Sequence, residues 1–344
     1  MAFYCRNLED TIFNKHKALT KDPDELVIIS GYLGPAPVKR LKELPFKTTV
    51  IAGMYSKGVN NRLYQQLKAI EHKNPQLTIL FSKIEVHSKI YIWMCNNEPK
   101  YVLIGSANFS DNGLLTDFRE SLADMDLRDT SNLLDYYDIV KKNSTADPKL
   151  SVQPTYAHKL ESNSLIINED LSKGPLAVCL PLYAYNKQKG KFVPPKSGLN
   201  WGNSNGHTAV GDAYIPIPRP IIRAIPHFFE PFDPKYISKT KRKRDSDPIE
   251  IIWDDNTTME ASAEGIQVVD GKDYPKQVTS YSSKSRKELN NISKKSIIGR
   301  YLRKRLHVSV EHTITYQDLK NYGRDTITFE KISEGVYSAD FSVQ

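Results

Sequence analysis

Cysteine is scarce in this sequence: Cys5, Cys95 and Cys179 are the only three in 344 residues, far apart and odd in number. That excludes a disulfide framework and a CxxC metal site, no metal-ligating set is expected, and the chain reads as cytoplasmic. Long apolar runs are missing too. No stretch of about 18 apolar residues occurs, so no segment is expected to span a bilayer. The opening MAFYCRNLEDTIFNKHK has no basic stretch followed by an apolar one and does not read as a secretory signal. With 39% hydrophobic and 26% charged residues, 20 Pro and 17 Gly, the composition excludes collagen-like, coiled-coil and low-complexity chains. No internal repeat is visible.

What is present is length for two domains and an uneven charge. The 48 Lys and Arg outnumber the 40 Asp and Glu by 8. Residues 1–150 carry 20 basic and 18 acidic side chains, whereas residues 151–344 carry 28 and 22. A basic half beside a near-neutral half suits a polyanionic partner for the C-terminal part, although the same surplus also merely solubilises a protein.

The first half alternates strands and helices. Short β-branched runs at 26–29, 48–52 and 77–81 are followed by turn or polar sequence, and Leu63, Leu67 and Ile70 fall at helical spacing within 59–72. Strands are expected at 86–94 and 101–104, split by the turn NNEPK. A helix is expected in DTSNLLDYYDIVKKN, with Asp129 and Thr130 as caps. This is an α/β layered domain. It ends near 143–154, where STADPKLSVQP is polar and proline-punctuated. From about Leu165 the texture changes to short strands (176–180, 214–217, 249–253, 265–269, 326–329) between Gly-, Pro-, Asn- and Ser-rich loops. Helical stretches at 285–291 and 296–306 interrupt them, and the whole suggests a mostly β pseudobarrel.

The chemistry concentrates in Glu85-Val86-His87-Ser88-Lys89, then Gly105-Ser106-Ala107-Asn108, then Glu120. Along a strand, His87 and Lys89 point to the same side. The next strand ends in a Gly-Ser-x-Asn turn, whose polar groups stand at the sheet's C-terminal edge, where α/β folds place ligands. An imidazole can attack phosphorus. Lys89 and Asn108 supply charge and donors to phosphoryl oxygens, and Glu120 can orient the ring. A lone histidine is more often a satisfied strand residue; the joint pattern is not.

These residues resemble the phospholipase D superfamily, whose motif is His-x-Lys, a downstream Gly-Ser-x-Asn turn and a later acidic residue. His87, Lys89, Ser106, Asn108 and Glu120 match it in order. The superfamily's Asp five residues after the Lys is replaced by Met94. That departure is similar to the restriction-endonuclease branch, in which a Glu after the turn takes the carboxylate role. The resemblance implies a covalent phosphohistidine, no metal, and a second histidine to protonate the leaving oxygen. Since no other His-x-Lys occurs in the chain, the second histidine is expected from another copy, in a homodimer.

The run LNWG…AYIPIP with GRYLRKRLHV resembles the B3-like DNA-binding domain of the same enzymes. The fold class implied is an α/β phospholipase D-like layered domain with helices around a mixed sheet (1–155), plus a mostly β B3-like pseudobarrel (165–344). Two DNA-gripping arms are implied at 201–211 and 272–286, the first a polar, Gly-broken loop suited to hydrogen bonding and the second mixing hydrogen-bonding groups with cations. The candidates are Trp201, Asn203, Asn205, His207, Lys272, Lys276, Gln277, Ser280, Lys284 and Arg286. The run Lys239–Arg244 suits a solvated basic loop better than a nuclear address. Arg300, Arg303 and Lys304 share a helix face that suits phosphate or solvent. The expected function is site-specific restriction cleavage of double-stranded DNA, with a lipid phosphodiesterase or a DNA-binding protein with an inactive site as rivals. A cognate methyltransferase is an expected partner. There is no Gly-x-x-x-x-Gly-Lys-Ser/Thr loop, so any ATP use falls to a helicase-like ATPase subunit.

Overall fold

A computed structural model describes residues 2–128, 130–151, 165–232 and 246–343. The cap Asp129, the linker residues 152–164 with His158, and the basic run 239–244 lie outside the described residues. The chain forms two units, Met1–Pro154 and Thr155–Gln344.

In order, the first unit contains β1 (Phe3–Tyr4), α1 (Leu8–Asn14), β2 (Glu25–Ser30), α2 (Pro35–Arg40), β3 (Lys47–Ala52), β4 (Val59–Asn60) and α3 (Asn61–His72). There follow β5 (Leu77–Ser82), β6 (Lys89–Cys95), β7 (Glu98–Gly105), α4 (Asp111–Leu115), β8 (Leu122–Asp124), α5 (Ser131–Lys142), β9 (Ser144–Thr145) and β10 (Leu150–Ser151). The main sheet runs β1-β8-β7-β6-β2-β3-β5-β9. Strands β2, β3 and β5 are parallel, while β6 lies antiparallel against β2. Strand β2 reads Glu-Leu-Val-Ile-Ile-Ser, continuously apolar in its middle, as suits a central strand covered on both faces. Ile90, Ile92 and Met94 of β6 face α5, whose Leu133, Tyr137 and Val140 fill that layer. Asn60 caps α3 by accepting from the N–H groups of Arg62 and Leu63 at 3.0 and 3.2 Å.

The antiparallel placement of β6 positions the site. Its first residue, Lys89, pairs with Gly105 at the end of β7, and Ile90 pairs with Ile29 near the end of β2. One strand's beginning and two strands' ends therefore share a rim. The strand expected from residue 86 starts only at Lys89. Residues 86–88 instead cross Gly53 after β3, with Val86 N–H donating to the Gly53 carbonyl at 3.1 Å. A Cβ at Gly53 would sit 1.9 Å from the Val86 carbonyl oxygen, so the crossing requires glycine.

The second unit contains β11 (Ile166–Asn168), β12 (Ala177–Pro181), β13 (Ala184–Asn186), β14 (Gly190–Phe192), β15 (Ile215–Pro216), α6 (Arg219–Ala224) and β16 (Ser246–Trp253). These precede β17 (Thr258–Val269), β18 (Lys272–Ser280), α7 (Ser296–Arg305), α8 (Tyr316–Tyr322), β19 (Thr326–Ser333) and β20 (Val336–Asp340). Its large sheet runs β11-β12-β19-β20-β16-β17-β18-β15 over a core that includes Ile251, Trp253, Leu302, Leu319, Ile327 and Phe329.

Two expectations change here. The stretch 272–280 is a full strand rather than a loop, joined to β17 by Asp270 and Gly271 at φ 48° and 76°, the positive-φ pair that tight two-residue hairpins need. The helix expected at 285–291 is a series of turns, because Asn290 and Asn291 both sit at positive φ (49° and 64°) and break the spiral.

Candidate active site and DNA-binding surface

The rim of the first unit brings three of the expected side chains together. Lys89 Nζ donates to the His87 carbonyl at 2.6 Å and lies 3.1 and 3.2 Å from Nε2 and Nδ1 of the His87 ring. Lys89 is buried, whereas His87 is exposed. Below them is Gly31, just past the end of β2. A Cβ there would meet Asn108 Oδ1 at 3.3 Å, His87 Cδ2 at 3.3 Å and Lys89 Nζ at 3.4 Å. The three side chains thus converge on one bare backbone position.

Two turns are laced to hold this arrangement. Ser30 Oγ donates to the Tyr32 carbonyl at 2.6 Å and accepts from Phe109 N–H at 2.9 Å, while Gly34 N–H donates to the Phe109 carbonyl at 2.9 Å. Tyr32 N–H donates to Asn108 Oδ1 at 3.1 Å, which occupies the amide's acceptor and leaves its NH2 for another partner. The Tyr32 ring meets the His87 ring edge-on at 6.4 Å. Beneath the turn, buried Tyr91 donates to the Ala107 carbonyl at 2.8 Å. Burial pushes the Tyr91 phenol far up, and the nearby Glu120 charge adds to the rise.

Ser106 shapes the turn from outside. It exchanges two bonds with Ser121: Ser106 N–H to the Ser121 carbonyl at 3.0 Å, and Ser121 N–H to Ser106 Oγ at 3.1 Å. Those bonds fix the loop that carries half-buried Glu120. Gly31, Tyr32 and Gly53 are absent from the sequence expectation. The only signal for them is a glycine directly after an apolar strand, which many turns share. Among the described residues, no group of three His, Cys, Asp or Glu side chains is placed to hold a metal ion.

In the second unit the first arm is a short 3-10 turn, Gly198–Asn203, running into the loop that carries Asn205 and His207. Its anchor is Asn200, fully buried. The Asn200 amide donates to the carbonyls of Pro194 and Ile314 at 3.1 and 2.8 Å, and its Oδ1 accepts from Ile314 N–H and from Arg303 at 2.9 and 3.3 Å. Trp201 stands edge-on to Tyr214 at 5.6 Å. Asn203, Asn205 and His207 are exposed, with Asn203 donating to Thr313 Oγ1 at 3.0 Å.

The second arm divides. Lys272 and Lys276 are exposed along β18, and the Lys276 side chain lies across Gly265, whose Cβ would come within 2.8 Å of it. Gln277 donates to Glu264 at 3.2 Å, and Lys284 and Arg286 are exposed on the turns beyond. Ser280 is a correction. Fully buried, its hydroxyl donates to the Lys294 carbonyl at 2.7 Å and accepts from Ile298 N–H at 2.9 Å, so it ties β18 to α7 and faces no solvent. Arg303 is another correction. It is 2% exposed and bonds inward to Asn200 and to the Gly299 and His312 carbonyls, leaving half-buried Arg300 and exposed Lys304 as the cations of that trio that reach solvent. Arg305 is paired with Asp254 at 2.7 Å.

A layered α/β unit with a His-Lys-Asn cluster on its sheet rim and a mostly β unit with exposed polar and basic side chains are the two domains of a DNA endonuclease, as the family models show. Residues 6–153 match the family model of the NgoFVII restriction endonuclease N-terminal PLD (phospholipase D) domain, and residues 180–333 match that of the NgoFVII C-terminal B3-like DNA-binding domain. The chain belongs to the NgoFVII restriction endonuclease family. Comparison with curated proteins gives no match. Among solved structures, NucT from Helicobacter pylori is 18% identical, covering 42% of this chain and 96% of its own, with a TM-score of 0.30. No helix among the described residues is long and apolar enough to cross a membrane.

Proposed function

We propose that this restriction endonuclease cleaves DNA through a covalent phosphohistidine on His87, without a metal ion, as a homodimer. The observation that carries the reading is the convergence of His87, Lys89 and Asn108 on Gly31. The His87 ring attacks phosphorus, forming an N–P bond as one P–O ester bond breaks. The departing alkoxide takes a proton from the protonated His87 of a second copy. Water then breaks the N–P bond and returns a proton to that imidazole, so both rings end as they began. Lys89 and the Asn108 NH2 offset the charge that builds on the phosphoryl oxygens, the task a metal performs elsewhere. Glu120 orients the imidazole and Ser106 holds the turn. The second unit selects the sequence through Trp201, Asn203, Asn205, His207, Lys272, Lys276, Gln277, Lys284 and Arg286. A helicase-like ATPase and a cognate methyltransferase are the proposed partner polypeptides.

The test incubates the full chain with varied plasmid DNA in EDTA beside a His87→Ala control, and quenches in denaturant to look for DNA bound covalently to protein. Discrete fragments and a covalent adduct from the unmutated chain alone are expected. Activity lost entirely in EDTA overturns the metal-free route. Sequence-specific binding with no cutting, even with ATP and a candidate ATPase partner, overturns the catalytic one. Sedimentation of the full chain tests the dimer.

A further inference from the structure

Two residues before Glu120, Phe118 holds φ at 66°, the left-handed region that a bulky aromatic residue rarely occupies. Such a conformation is strained and persists only where its surroundings enforce it. Here the N-terminal segment does so. Phe118 N–H donates to the Cys5 carbonyl at 2.6 Å, and Asn7 N–H donates to the buried Asp117 carboxylate at 3.0 Å. Phe3 and Tyr4 pair with Ala123 and Leu122, and Ala2 N–H donates to Asp124 Oδ1 at 2.5 Å. Asn7 is left-handed as well, at φ 51°, but asparagine tolerates that conformation.

The strain does not bury the ring. Phe118 stays 44% exposed, and the Arg6 guanidinium lies over its face, 4.2 Å from the centroid. Arg6 is itself exposed and, among the described residues, pairs with no carboxylate. A strained, open aromatic bracing an uncompensated cation contributes little to a fold. It stands on the loop that Ser121 ties to Ser106 at the catalytic turn. An arginine over an aromatic face keeps the N–H donors at the edge of its guanidinium free for a phosphate.

We propose that Arg6, braced by Phe118, binds a backbone phosphate of the DNA strand beside the scissile one. The proposal rests on the reading of the His87 cluster as the nuclease site. Its function is to register the strand over His87, with affinity independent of sequence.

The test measures DNA affinity, KM and kcat for full-length Arg6→Ala, Arg6→Lys and Phe118→Gly across a salt series. For Arg6→Ala, binding should weaken about fivefold and the slope of log K against log salt should flatten by about 0.9, the signature of one lost phosphate contact, with the loss falling on KM more than on kcat. Arg6→Lys should restore the slope. Phe118→Gly relieves the backbone strain, so its melting temperature should hold or rise while KM rises. An unchanged salt slope in Arg6→Ala overturns the proposal, and so does a Phe118→Gly variant with unchanged KM. If the unmutated chain cuts no DNA, the nuclease reading fails, while the salt slope of binding still decides the role of Arg6.

Discussion

Replacing Gly31 by alanine tests whether the chemistry occurs where His87, Lys89 and Asn108 meet. The methyl would lie 3.3 Å from Asn108 Oδ1, 3.3 Å from His87 Cδ2 and 3.4 Å from Lys89 Nζ, so the trio must yield by a few tenths of an ångström. Gly31 has no positive φ, so alanine fits the backbone, and the stability change should stay within about 1 kcal/mol. Catalysis is less forgiving. A displacement of about 1 Å can remove a factor of about 100, so a third of that displacement should lower kcat by about fivefold, near 0.9 kcal/mol of barrier. Single-turnover cleavage of one fixed duplex measures this, with thermal unfolding recorded on the same sample. The comparison variant is Gly53→Ala, whose Cβ would collide with the Val86 carbonyl at 1.9 Å and should damage fold and activity together. Gly31→Ala cleaving at the unmutated rate would refute the placement of the reaction on this rim.

Three further outcomes are expected. Asn200→Ala removes four buried hydrogen bonds and should cost about 3–4 kcal/mol, read by denaturant unfolding, with loss of specific DNA binding. Lys276→Ala and Lys284→Ala should each flatten the salt dependence of DNA binding by about one unit, whereas Ser280→Ala should lower the melting temperature and leave that slope unchanged. Burial pushes the Asp318 carboxyl up, but bonds donated by His312 and by the Thr315 amide and hydroxyl hold it below its usual 3.8. A depressed carboxyl stabilises the fold above its unfolded pKa and loses that contribution as pH falls through the folded one. The melting-temperature gap between the unmutated chain and Asp318→Asn should therefore be constant near neutrality and close as pH drops below 3.8.

What the sequence shows about this fold depends on how far apart the cooperating residues lie. His87, Lys89 and Asn108 are legible because their chemistry is unusual and their spacing short. Gly31 is not, since only the antiparallel entry of β6 beside β2 carries it beneath them. Lys272–Ser280 hides its strand character behind charged residues and Pro275, and it becomes a strand through pairing along most of β17. The polar look of 296–305 is equally misleading for Arg303. Gly299 brings α7 against Gly211, where a Cβ would lie 2.0 Å from the Gly211 carbonyl oxygen, and that approach turns the arginine inward to Asn200. The capping box of α8, Thr315 with Asp318, stands in the open sequence, but no apolar periodicity accompanies it.

The shared rim, where β6 begins and β2 and β7 end, also governs when the enzyme can act. His87, Gly31 and Asn108 come from segments that meet only after long chain loops have closed, which is the slow part of building a mixed sheet. A nascent or partly unfolded chain therefore carries His87, Lys89 and Asn108 without the proposed site they form. In refolding experiments, DNA cleavage should appear with the last kinetic phase, after the helical signal has recovered.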